Sequence, residues 1–125
     1  MDHARYQYWL EEVIDSGEAF GMSDLVLNGV LRIVTNPRII SPPSTPEDAR
    51  EFVTKIRESP NCYPVNPGPK HWNIFMRLCR DNNARGNLVP DAYFAALAIE
   101  SGCEWITTDR HFGRFAGLRY RHPFD

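Results

Sequence analysis

The stretch VPDAYFAALAIESGCEWITTDRHF, residues Val89–Phe112, sets the class of the fold. Apolar residues at helical spacing follow Pro90 and end before Gly102, which predicts a helix over Asp91–Ser101. The next segment, Cys103–Asp109, is rich in residues that favour extended structure and predicts a strand. A helix that turns back into a strand is the repeating unit of α/β domains, so this stretch favours that class.

The two aspartates of this stretch are predicted to lie at the same end of the layer. The helix from Asp91 spans roughly 16 Å at about 1.5 Å per residue. The strand that ends at Asp109 spans roughly 20 Å at about 3.3 Å per residue, and Gly102 reverses the direction between them. Both carboxylates therefore finish near the carboxyl edge of a strand, where open α/β sheets bind their ligands. Asp24 has the same kind of position, because it follows a predicted strand and lies in the first turn of a helix that Ser23 caps.

The rest of the chain alternates in the same way. Helices are predicted over His3–Ser16, from Ser23 to Asn36, from Pro46 to Ser59 and from Pro69 onward. The last of these is expected to face inward with Trp72, Phe75, Met76 and Cys79. Strands are predicted over Glu18–Met22, Cys62–Val65 and Leu118–His122, and a short turn or helix over Arg110–Phe115. This order predicts one α/β domain over residues 1–125, with a short, mainly parallel sheet flanked by helices.

Composition narrows the possible functions only slightly. The chain has 125 residues and a formal net charge of −2, which gives no sign of a strongly basic nucleic-acid binder. Its three cysteines have no CxxC spacing, which indicates reduced thiols in a cytoplasmic protein. No segment has the length and apolar character of a membrane span or a signal core, so we expect no membrane association.

Three acids at such junctions indicate a cation site. Carboxylates that converge repel one another, and a divalent cation compensates their charge. Oxygen ligands suit Mg²⁺ or Mn²⁺, which activate water and stabilise charge on a phosphodiester. The alternative stays open at this point, because Asp24 and Asp91 are also common residues at helix starts, and Asp109 is a common residue in turns.

Three segments resemble the PIN-domain ribonucleases, and more narrowly the VapC-type toxins of bacterial type II toxin–antitoxin modules. They are MSDLVLNGVLRIVTNPRI (Met22–Ile39), GPKHW (Gly68–Trp72) and GNLVPDAYFAALAIESGCEWITTDRHFGRFAGLRYRHP (Gly86–Pro123). The resemblance covers nearly the whole chain. It implies a PIN-like three-layer fold and a Mg²⁺- or Mn²⁺-dependent endoribonuclease that cleaves RNA and is held inactive by a cognate antitoxin. A homodimer is expected as well.

The resemblance also implies a set of site residues. Asp24 stands for the family's acid at the start of the helix after the second strand, where glutamate is usual. Asp91 and Asp109 stand for the acids of the VPDAY and TTD segments, and Thr108 stands for the Ser or Thr that lines the site. All four are expected to act in catalysis, and the three aspartates are expected to hold the metal.

One departure from the family concerns the first strand. PIN domains normally begin with a strand that carries a DxNxLxY motif, whose aspartate is a metal ligand and which lies centrally in the sheet. This sequence begins after that point, and Asp2 is not assigned the missing role. We expect either a start upstream of Met1 or a natural truncation, with an incomplete sheet that is filled from outside or distorted, and with weakened catalysis.

The C-terminal region is locally basic and is a candidate surface for RNA. Arg110 and Arg114 follow Asp109, and Arg38 is a further candidate, because Arg and Lys make most contacts to nucleic-acid phosphates. Ordinary surface ion pairs explain the same residues equally well. Two other functions stay open: a catalytically impaired PIN remnant that acts through antitoxin binding or dimerisation, and a metal-dependent phosphohydrolase of small phosphate esters, which would be expected to have a glycine-rich phosphate loop.

Overall fold

The computed structural model describes residues 3–39 and 41–125, and the side chains within them from residue 8 onward. Its elements in chain order are α1 (His3–Asp15), β1 (Phe20–Met22), α2 (Asp24–Val34), α3 (Pro46–Arg57), β2 (Cys62–Pro64), α4 (His71–Asp81), α5 (Leu88–Ser101), β3 (Trp105–Ile106), a 3-10 helix (Arg110–Arg114) and β4 (Tyr120–Arg121). The chain divides into two compact units, Met1–Val65 and Asn66–Asp125. The alternation of helices and strands confirms the predicted α/β class.

The N-terminal unit contains α1, α2 and α3 with one parallel strand pair. β1 and β2 pair with Phe20 opposite Cys62 and Met22 opposite Pro64. The predicted cap of α2 is confirmed, because the backbone N–H of Leu25 donates to Ser23 Oγ at 3.2 Å. Thr45 caps α3 in a similar way, accepting the backbone N–H of Asp48 at Oγ1 at 3.1 Å. The buried core of this unit comprises Leu27, Val53 and Ile56.

The C-terminal unit is built on the contact between α4 and α5. Leu78 of α4 is fully buried against α5, and small side chains on α5 make this close approach possible. The buried alanines of α5 in this core are Ala92, Ala95 and Ala96. β3 and β4 form a second parallel pair, with Trp105 opposite Tyr120. The predicted parallel strands thus form two separate pairs, one in each unit.

The start of α4 is fixed by a side chain from α5. Lys70, the N-cap residue of α4, makes no capping hydrogen bond with its side chain. Instead the Glu100 carboxylate accepts the backbone N–H of Gly68 at 2.7 Å and that of Lys70 at 2.8 Å. These bonds hold the pKa of Glu100 below its ordinary value. A Cβ on Gly68 would lie 2.7 Å from a Glu100 carboxylate oxygen, so the glycine permits this close contact.

Two details of the predicted elements were wrong. Trp72, expected to face inward, is 63% exposed, whereas His71 is buried and its Nε2 lies 3.1 Å from the carbonyl oxygen of Tyr93. The inner stripe of α4 is His71, Phe75 and Leu78, and Trp72 is rotated about 100° from His71. The strand expected over 103–109 is only Trp105–Ile106, and a turn follows it.

Two further features bear on the setting of the protein. All three cysteines, Cys62, Cys79 and Cys103, are free and half-buried. Within residues 3–39 and 41–125, none of the helices combines the length and the apolar character that a membrane span requires.

Candidate functional site

Asp91 and Asp109 are placed by the two ends of the helix–strand return in the C-terminal unit. Asp91 lies in the first turn of α5, where the missing N–H of Pro90 costs no hydrogen bond. α5 ends at Gly102, whose left-handed backbone (φ 73°) turns the chain toward β3. Asp109 follows β3 and caps the 3-10 helix. The local sequence therefore delivers each carboxylate to a junction between elements, as predicted.

The two carboxylates interact electrostatically. Asp91 is half-buried, and loss of solvation raises its pKa above the ordinary value. The negative charge of Asp109 raises the pKa of Asp91 further, because two like charges in one place disfavour joint ionisation. The guanidinium of Arg114 opposes this rise. The fold thus brings Asp91, Asp109 and Arg114 together in one unit.

The Asp109 carboxylate is held in a defined orientation. Its Oδ1 accepts the backbone N–H of His111 at 2.8 Å and lies 3.1 Å from Nδ1 of the same residue. The backbone N–H of Asp109 donates to Oγ1 of Thr107 at 3.1 Å. Thr108, which the resemblance selected, is exposed, so the threonine hydroxyl in contact with Asp109 belongs to its neighbour Thr107.

Asp24 lies in the N-terminal unit and has a strong partner there. Arg57 donates from Nε to Asp24 Oδ1 at 2.8 Å and from Nη2 to Oδ2 at 3.3 Å. These bonds hold the pKa of Asp24 below its ordinary value. The pair joins the start of α2 to the end of α3. Sequence reasoning missed Arg57, because the two residues are 33 positions apart and no local pattern connects them.

The three arginines proposed as RNA contacts have different surroundings. Arg110 forms an exposed ion pair with Asp125, with nitrogen–oxygen distances of 3.0 and 3.3 Å. Arg38 is exposed in the turn after α2, where its backbone N–H donates to Asn36 Oδ1. Arg114 is exposed and acts electrostatically on Asp91. Among the three, Arg114 therefore has the most direct relation to the carboxylate pair.

The carboxylate pair fits a hard divalent cation. In the part of the chain with described side chains, no three His, Cys, Asp or Glu residues are grouped closely enough to hold a metal. Mg²⁺, however, keeps several waters and is commonly bound through only one or two carboxylates. Burial raises the pKa of Asp91 and the charge of Asp109 raises it further, and a cation at this pair would relieve the repulsion between the two carboxylates. The donor set is therefore suitable for Mg²⁺ or Mn²⁺.

Comparison with known proteins places this geometry in context. The PIN domain family model matches residues 2–118. The chain is 40% identical over 124 residues to VapC ribonuclease Mb2897 of Mycobacterium bovis, an alignment that spans 99% of this chain and 84% of that protein. It is 35% identical over 122 residues to ribonuclease VapC25 of Mycobacterium tuberculosis, spanning 98% and 86% of the two chains.

A solved structure shares the fold at much lower sequence identity. It is the crystal structure of VapBC2 from Rickettsia felis bound to a DNA fragment from their promoter. The TM-score is 0.64 at 16% identity, and the match covers 89% of this chain and 80% of that one. At this identity the likeness concerns the fold alone.

Proposed function

The chain belongs to the PIN-domain family and, within it, to the VapC-type ribonucleases, and we propose that it is a metal-dependent endoribonuclease toxin. The observation that carries the proposal is the electrostatic coupling of Asp91 with Asp109 in a chain that is 40% identical to a VapC ribonuclease. The cofactor is Mg²⁺ or Mn²⁺, and the substrate is RNA. A cognate antitoxin is the proposed protein partner, and the toxin is proposed to be a cytoplasmic homodimer.

The roles of the residues follow from their contacts. Asp91 and Asp109 supply the carboxylate oxygens that would hold the cation, and the backbone N–H of His111 fixes the orientation of Asp109. When bound, such a cation stabilises negative charge on a phosphodiester and lowers the pKa of a coordinated water. The guanidinium of Arg114 opposes the rise in the pKa of Asp91 and is a candidate contact for an RNA phosphate.

The other proposed site residues carry weaker support. The sequence makes Asp24 a candidate metal ligand. Its hydrogen bonds to the Arg57 guanidinium would have to break before its carboxylate could bind a metal ion. Thr108 stays a candidate that lines the site, and its exposure permits contact with a substrate. Arg110 would contact RNA only after release from Asp125, whereas Arg38 is already exposed.

The decisive experiment is cleavage of RNA by the purified chain. Single-stranded RNA is incubated with Mn²⁺ or Mg²⁺ and, as a control, with a chelator. Cleavage that requires the cation and is lost in Asp91→Asn and Asp109→Asn supports the proposal. Asp81→Asn is the matched control, because Asp81 is an exposed acid at the end of α4 in the same unit. Equal cleavage by the parent and Asp91→Asn would point to a contaminating nuclease and refute the assignment.

A catalytically impaired member of the family is the second candidate. The observation that favours it is the Asp24–Arg57 ion pair, which engages one of the three expected ligands. Two results together would support this candidate over an active toxin. The parent would bind a cation that Asp91→Asn does not bind, and the parent would cleave no RNA with any metal.

A further inference from the structure

The start of α5, which carries Asp91, has no side-chain cap of its own. Asn87, the N-cap residue, makes no capping hydrogen bond with its side chain. The backbone N–H groups of Leu88 and Val89 donate to carbonyls of the preceding turn, at 3.2 and 3.1 Å. Helix ends without side-chain caps fray more readily than capped ones. The placement of Asp91 therefore depends strongly on the contacts that α5 makes with its neighbours.

A buried histidine of α4 makes such a contact. His71 is 3% exposed, and its Nε2 lies 3.1 Å from the carbonyl oxygen of Tyr93. A carbonyl oxygen only accepts, so Nε2 carries the hydrogen and donates it. The His71 ring also packs edge-on against the Tyr93 ring, with centroids 4.5 Å apart. Because a buried donor is costly to leave unpaired, this bond fixes the start of α5 against α4.

His71 is itself held in place. The Glu100 carboxylate accepts the backbone N–H groups of Gly68 and Lys70, directly before His71 in the chain. The His71 ring also stacks on Phe75, at 5.9 Å between centroids. The start of α4 is thus bonded to α5 at Tyr93 and at Glu100, which lie about 10 Å apart along the α5 axis. Two contacts at this separation fix both the position and the direction of α5.

The bond from His71 reaches the helix close to Asp91. Tyr93 lies two residues after Asp91, about 200° around the helix axis, so the bond acts on the placement of α5 and not on the carboxylate itself. A cation shared by Asp91 and Asp109 needs their oxygens placed to within about 0.2 Å. We propose that His71 is a positioning residue for the metal site, which holds Asp91 in register with Asp109 through the Tyr93 carbonyl. This inference rests on the proposed function, since it requires Asp91 to bind a cation.

The test compares variants of the full chain that separate the hydrogen bond from general stability. His71→Leu removes the donor, and His71→Gln keeps an amide nitrogen at a similar distance from the backbone. Leu78→Val is the matched control, because Leu78 is fully buried on the same face of α4 and makes no polar contact with its side chain. The measurements are Mn²⁺ affinity by calorimetric titration, Tm in chelator, and amide hydrogen exchange over residues 92–97.

His71→Leu should weaken Mn²⁺ binding by about tenfold, the lower end of what loss of an outer contact costs a metal site. It should also speed amide exchange over residues 92–97. His71→Gln should keep most of the affinity. Leu78→Val should lower Tm and leave Mn²⁺ affinity unchanged, which a purely structural role for His71 does not predict. If His71→Leu fails to fold by circular dichroism, His71→Met removes the donor in its place.

Three outcomes would overturn the proposal. Parental Mn²⁺ affinity in the variant without the donor would show that His71 does not position Asp91. Equal weakening in Leu78→Val would attribute the effect to stability alone. Equal loss in His71→Gln and His71→Leu would attribute it to packing of the ring. A parent that binds no Mn²⁺ would refute the proposed function instead, and amide exchange would still decide whether the His71 bond holds the start of α5.

Discussion

Gly113 controls how closely the 3-10 helix approaches β4, and its substitution should destabilise the C-terminal unit. A Cβ at this position would lie 2.6 Å from the hydroxyl oxygen of Tyr120 and 3.1 and 3.2 Å from two of its ring carbons. The helix cannot shift freely, because Phe112 and Phe115 on either side are buried in the core. Overpacking of this kind costs about 1–3 kcal/mol, so Gly113→Ala should lower Tm by roughly 4–12 °C.

The assay is denaturant unfolding followed by tryptophan fluorescence, since the Trp105 ring lies 5.6 Å from that of Phe112. Tyr120→Phe removes the nearest atom and should recover part of the loss, which a double-mutant cycle measures. Gly29→Ala is the matched control: it lies inside α2, where a new Cβ would have no atom within 4 Å apart from the nearby backbone of its own helix and its chain neighbours, and it should stabilise by about 0.4–1 kcal/mol. Unchanged stability of Gly113→Ala, or the same loss with and without the Tyr120 hydroxyl, would refute the steric argument.

Three further predictions concern the charged groups. The folded-state pKa of Asp91 is raised above its ordinary value of 3.8. The Asp91 carboxyl therefore stabilises the folded state below pH 3.8, and this stabilisation is lost as pH rises through the folded-state pKa. Asp91→Asn should therefore raise Tm at pH 7 in chelator, yet abolish the Tm increase that Mn²⁺ gives the parent; an equal Mn²⁺ response in both would place the site elsewhere. The pKa of Glu100 is lowered, so its contribution is present above its ordinary value of 4.5 and is lost as pH falls through the folded pKa. Glu100→Gln should lower Tm at pH 7 but not at low pH, and a pH-independent difference would contradict the capping role. If Asp24 is a cation ligand, Arg57→Gln should tighten Mn²⁺ binding because it frees the Asp24 carboxylate, whereas Arg50→Gln on the same helix should not. Equal Mn²⁺ affinity of Arg57→Gln and the parent in a calorimetric titration would show that the Asp24–Arg57 pair is purely structural.

Features with a short-range cause were predicted correctly from the sequence. Ser23 caps α2 because its hydroxyl reaches a backbone donor two residues ahead. The electrostatic influence of Asp109 on Asp91 is consistent with the lengths of two adjacent elements and the glycine turn between them. The strand before Asp109 is shorter than expected, yet Asp109 still lies close enough to Asp91 for its charge to raise the pKa of that carboxyl.

Features fixed by distant partners were not accessible to the same reasoning. The cap of α4 comes from Glu100, about thirty residues away, and nothing in the local sequence of α4 indicates it. The inward position of His71 instead of Trp72 depends on which face of α4 meets α5, and a shift of one residue exchanges them. Such choices are made by packing between elements, where a rotation of about 100° changes a buried side chain into an exposed one.

The two candidate acids at helix starts illustrate how structure separates alternatives that sequence leaves open. Asp24 and Asp91 are both first-turn aspartates, and the helix dipole favours a negative charge at both positions. Arg57 lowers the pKa of Asp24, whereas burial and Asp109 raise that of Asp91. A carboxylate satisfied by a guanidinium gains little from a cation, and one crowded by a like charge gains much. We therefore expect Asp91 and Asp109 to gain more from a bound cation than Asp24 does, although all three aspartates lie at the same kind of junction in the sequence.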